Sequence, residues 1–96
     1  MKTVYFEDFR LFLLEQYHEI AALDPEFQSV EWFLLRYLKK IEKNTLSPAD
    51  PAGVENSMRG FIRFYVDMID EHSALGIRCR TIYNRYRKTL LDQQQG

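Results

Sequence analysis

The sequence predicts an all-α fold, a compact four-helix bundle with helices at approximately 5–23, 29–43, 51–75 and 78–91. Apolar side chains recur every three to four residues through most of the chain, the spacing of one helical face. Asp-Pro pairs at 24–25 and 50–51 interrupt that pattern, because a residue before proline is pushed out of the helical region. No stretch alternates apolar and polar residues as a half-buried strand does. A chain of 96 residues has room for one core, so a single helical domain is expected over 1–92, with a disordered tail at 93–96.

The first helix, 5–23, places Tyr5, Phe9, Phe12, Leu13, Gln16, Tyr17 and Ile20 on one stripe. Asp24-Pro25 stops it and offers a cap for the next helix, with Ser29 as the rival cap. The second helix carries Val30, Phe33, Leu34, Tyr37, Leu38 and Ile41 on its main apolar face. Residues 44–50 have loop composition, and Asp50-Pro51 supplies another cap followed by proline at the first helical position. The third helix presents Val54, Met58, Phe61, Tyr65, Met68, His72 and Leu75, and Gly76 is expected to end it. In the fourth, Cys79, Ile82, Tyr83, Tyr86 and Leu90 point inward.

Apolar residues make up 46% of the chain and aromatic residues 15%, too much for a disordered segment. Thirteen basic residues nearly balance 14 acidic ones, so no net field steers the whole molecule toward nucleic acid or a membrane. Cys79 is the only cysteine, which fits a reducing compartment and leaves no disulfide framework. The longest apolar runs, such as Leu11–Leu14 and Trp32–Leu35, are four residues long, against the roughly 20 a spanning helix needs. Glu7 and Asp8 interrupt the N-terminal apolar stretch, unlike a signal peptide. A cytoplasmic protein without membrane attachment is expected.

No catalytic constellation assembles. Glu15 and His18 form one Glu-x-x-His pair, but His72 has Ile69 where a second pair needs a carboxylate. No metal site is therefore expected. Cys79 lies on an inward face, where a thiol behaves as a small hydrophobe. His72 falls on the apolar stripe of the third helix and is expected to pack there. Glycines at 53, 60, 76 and 96 have no phosphate-loop spacing. No enzyme activity, cofactor or small-molecule substrate is expected.

Between 78 and 88 stand five basic residues and no acid, and residues 75–88 read Leu-Gly-Ile-Arg-Cys-Arg-Thr-Ile-Tyr-Asn-Arg-Tyr-Arg-Lys. This stretch resembles the second half of a helix-turn-helix within residues 68–90, with Leu75-Gly76-Ile77 like its turn. The resemblance implies a recognition helix lying in the major groove of DNA. Arg78, Arg80 and Asn84 would then read bases, while Arg85, Arg87 and Lys88 touch phosphates. His72 and Arg78 stand where that motif usually has a small residue and a Ser, Thr or Asn cap. Cations near a helix C-terminus also complement its dipole without any ligand.

Surplus apolar surface points elsewhere. Trp32 and Leu35 fall opposite the main stripe of the second helix, among Arg36, Lys39 and Lys43. Leu11 and Leu14 likewise lie off the Phe9–Leu13 face of the first, near His18. A helix at the edge of a solitary bundle has one apolar stripe and one polar face, and Trp with Arg is the usual chemistry of a binding hot spot. The sequence thus favours a small regulatory or adaptor module that binds a protein partner or a second copy of itself, with Trp32, Leu35, Arg36 and Lys39 as the main contact and Leu11 and Leu14 as a second.

Overall fold

The computed structural model describes residues 5–46 and 48–94, which form four α-helices and no strand. These are α1 (Glu7–Ala21), α2 (Val30–Asn44), α3 (Pro51–Met68) and α4 (Ala74–Gln94). Side-chain caps set most of the starts. Ser29 Oγ accepts the Trp32 N–H at 3.2 Å, and Asp50 Oδ1 accepts the Ala52 N–H at 3.2 Å with Pro51 opening α3. Each cap satisfies one of the amides that a helix N-terminus leaves without a partner. Asp24 is not the cap of α2. It takes a left-handed backbone (φ 52°), as does Gln28 (φ 64°), and the chain reverses between them.

The boundary between α3 and α4 differs from expectation. Helix α3 stops at Met68, and Ile69 is extended and buried. Asp70 then organises the turn: its Oδ1 accepts the His72 N–H at 2.9 Å, and its carbonyl accepts both the N–H and the hydroxyl of Ser73. Ser73 Oγ in turn accepts the Gly76 N–H at 3.0 Å, starting α4 at Ala74. Gly76 therefore lies within the first turn of α4 and does not end α3. A Cβ on it would come 2.1 Å from the Asp70 carbonyl oxygen, so only glycine lets the turn close on the helix. His72 is exposed in this turn and not packed on the apolar stripe.

Helix α4 also runs further than expected, to Gln94. The carboxamide of Gln93 clasps the backbone of Tyr5, accepting its N–H at 2.5 Å and donating to its carbonyl at 2.6 Å. The expected frayed tail is thus helical through 94, while 95–96 lie outside the described residues.

The helices pack in a ring, α1 on α2, α2 on α3, α3 on α4 and α4 on α1, within 42 × 24 × 19 Å. Phe9, Leu13 and Ile20 of α1 meet Leu34, Leu38 and Ile41 of α2, Val54, Met58 and Phe61 of α3, and Cys79, Ile82 and Tyr86 of α4. Phe6 joins the core although no periodicity marked it, while Tyr5, expected on the stripe, is exposed. Among the described residues no buried side-chain nitrogen or oxygen lacks a partner. The buried carboxamide of Gln16 accepts from Arg78 at 2.6 Å, and Ser57 is shared between the Gly53 carbonyl and Asn44. No described helix is long and apolar enough to cross a membrane.

Candidate interaction surface

Burial of Leu34, Leu38 and Ile41 turns the opposite side of α2 to solvent. At about 100° per residue that side carries Trp32, Arg36, Lys39 and Lys43. The indole of Trp32 is half-buried, and its cover comes from surface neighbours rather than the core. Phe27 meets it edge-on at 4.9 Å between centroids, Phe33 does so at 5.0 Å, and the Arg36 guanidinium lies 5.0 Å from the ring centroid. Phe27 is itself 74% exposed. The aromatic row continues onto α3, where Phe64 stacks on Tyr37 at 4.8 Å and lies 6.4 Å from Phe33. Phe33, expected on the inward stripe, belongs to this outer row.

Trp32, Phe33 and Tyr37 of this row border an open groove of about 670 Å³ along α2, which also includes Leu35, Arg36 and Lys39 together with Tyr17 of α1. The four side chains singled out from the sequence on this helix therefore share one surface. Leu35 is half-buried on the α1 side and packs partly against the core. Lys39 holds its ammonium 5.6 Å from the Tyr17 ring centroid. Tyr17 and Lys39 also wall a second, smaller crevice of about 100 Å³ between α1 and α2, where Leu14 and His18 sit. The two apolar patches are thus joined at Tyr17 and Lys39. Leu11, 53% exposed, is not part of the crevice.

The basic residues of α4 do not gather. Arg78 is tied down internally, donating to Gln16 and lying 3.3 Å from a Glu19 carboxylate oxygen. Arg85 lies over Phe12 of α1 at 4.6 Å, whereas Arg87 turns to Tyr83 of its own helix at 5.8 Å. Arg80, Asn84 and Lys88 are exposed. The stretch Leu75-Gly76-Ile77, likened to the turn of a helix-turn-helix, is helical, and the turn lies at residues 69–73. The turn is thus displaced from its expected place, and of the positions assigned to base reading Arg78 is engaged internally while Arg80 and Asn84 face solvent.

The chemical groups elsewhere are dispersed. Glu15 and His18 are exposed, and among the described residues no three His, Cys, Asp or Glu side chains converge as metal ligands. Cys79 is fully buried, and burial pushes its thiol up to about 12 against a smaller opposing pull from Arg78. The thiolate is the reactive species, so the folded chain presents no nucleophile there. Burial and the nearby Glu55 also raise the Tyr86 hydroxyl, with Arg59 opposing.

Phe27, Tyr17 and Lys40 were not anticipated at the surface. Phe27 precedes α2 in a loop and obeys no period. Lys40 was visible as the fourth member of a basic stripe at 36, 39, 40 and 43. Comparison of the chain with family models, with curated proteins and with solved structures finds no match.

Proposed function

We propose that this chain is a non-catalytic protein–protein interaction module, a small regulatory or adaptor domain, whose main contact is the outer face of α2. The observation that carries this is the position of Trp32, whose ring is sheltered by Phe27, Phe33 and Arg36 in an open groove and not by the core. An aromatic held rigidly among apolar and cationic neighbours loses little entropy on binding, and that is how hot spots are built. Leu35, Arg36 and Lys39 complete the contact. Leu11 and Leu14 form a second surface, suited to a second copy of the chain. The single reduced thiol suits work in the cytoplasm.

The test compares wild-type protein with Trp32→Ala as bait, with circular dichroism showing both folded. Partners held by wild type are expected to bind the variant weaker by about 2 kcal/mol or more. Equal retention by both baits contradicts the proposal. Light scattering addresses self-association: a dimer of the wild type is expected to become a monomer in Leu11→Glu/Leu14→Glu.

A further inference from the structure

We infer that the groove on α2 receives an acidic amphipathic helix of a partner protein. This deepens the proposed function and rests on it. Arg36, Lys39, Lys40 and Lys43 all border the groove, and no carboxylate borders it. Among the described residues none of the four takes part in an ion pair, although the chain has 14 acidic residues to offer. Glu42, the one acid between 36 and 43, turns away to α1, where it lies 4.0 Å from Arg10. Lys40 and Lys43 are exposed.

The spacing is costly to the free protein. Arg36 with Lys40 and Lys39 with Lys43 are like-charge pairs one turn apart, each of which destabilises a helix slightly. A counter-charged segment lying along α2 removes that repulsion. The stripe from Trp32 to Lys43 spans roughly 16 Å at the helical rise, so a partner helix of about a dozen residues covers it. Carboxylates repeating at three- and four-residue intervals match the pitch of the cations, and apolar side chains on the same helix meet Trp32 and Leu35 in the groove.

The same side chains suit other polyanions less well. Stacking of nucleic-acid bases needs an open aromatic face, but Arg36 lies over the Trp32 ring and Phe27 and Phe33 crowd it at steep angles, 4.9 and 5.0 Å between centroids. An anionic membrane would have to accept Asp24 and Glu26, which stand in the same loop as the exposed Leu23 and Phe27.

Selection from a random library of displayed 16-residue peptides tests this, with wild type, Trp32→Ala and Lys40→Glu/Lys43→Glu as targets. Poly-dT and phosphatidylserine vesicles serve as rival ligands. Enriched peptides are expected to be acidic, with apolar residues at helical spacing. They should bind the charge-reversed variant roughly tenfold or more weakly, and also weaken as salt rises. Peptides that depend on Trp32 but are neutral or basic, or that tolerate the reversal, overturn the acidic occupant and leave the interaction face standing. Peptides indifferent to Trp32→Ala overturn both. Failure to enrich any peptide on wild type over the charge-reversed protein overturns the inference, as does tighter binding of poly-dT or vesicles lost in that same variant.

Discussion

Arg36 holds its guanidinium 5.0 Å from the centroid of the Trp32 ring, one turn further along α2. The contact covers one face of the only tryptophan in the chain without drawing it inward. Such exposed cation–π pairs are worth about 0.5–1 kcal/mol, so the indole is kept in place but contributes little to folding. Trp32→Ala is therefore expected to cost about 1–2 kcal/mol, from that pair and the edge-on contacts to Phe27 and Phe33. Leu38→Ala, in the core, should cost about 2–5 kcal/mol. Urea denaturation of the two variants measures the difference, and a larger loss for Trp32→Ala contradicts the outward placement.

Two glycines separate close approach from mere flexibility. Gly76→Ala drives a Cβ into the Asp70 carbonyl oxygen and is expected to destabilise by more than about 2 kcal/mol, because backbone has to move. Gly60→Ala meets only the Tyr37 ring at an ordinary 3.7 Å. In mid-helix that change should stabilise by about 0.5–1 kcal/mol. Melting temperatures moving in opposite directions are the expected result.

Arg78 is a structural cation. Arg78→Ala leaves the buried Gln16 carboxamide without its donor and should cost about 1–2 kcal/mol. Arg80→Ala, at an exposed position two residues on, should change stability by less than about 0.5 kcal/mol. Equal effects in thermal melts would show that the tie between α1 and α4 is not formed.

Cys79 makes stability depend on alkaline pH. Its thiol ionises at about 12 in the fold against an ordinary 9.0. The unfolded chain thus sheds the proton first, and the contribution is whole below about pH 9 and lost as pH climbs toward 12. The raised Tyr86 hydroxyl acts in the same direction. Denaturation midpoints of the wild type are expected to fall more steeply above pH 9 than those of Cys79→Ala. At pH 8 a thiol reagent should label the native protein only through unfolding, roughly a thousandfold or more slower than a free thiol. Rapid native labelling is the contrary result.

The helix count and, apart from Tyr5 and Phe33, the inner faces of α1 and α2 were legible because long periodic stretches bury one side each. Legibility failed where local hydrogen bonds beat periodicity. Met68, His72 and Leu75 continue the spacing of α3 across the turn at 69–73, yet the Asp70 and Ser73 side chains end one helix and start the next. Gly76 has the same letter whether it stops a helix or admits a neighbouring carbonyl, and only the fold shows the second. Gln93 looked unanchored because its partner, the Tyr5 backbone, lies 88 residues away. The outward position of Trp32 followed from helical angle alone. Phe27, in a loop with no period, left no comparable trace.

Quenching of Trp32 fluorescence by acrylamide, with and without an acidic peptide selected on the wild type, bears most directly on the outer face of α2 as the site of contact. The folded chain alone is expected to show an indole that the quencher reaches, and saturation with the peptide should cut that access several-fold. An indole already shielded in the free protein, or one whose quenching is unchanged at saturation, would contradict the assignment.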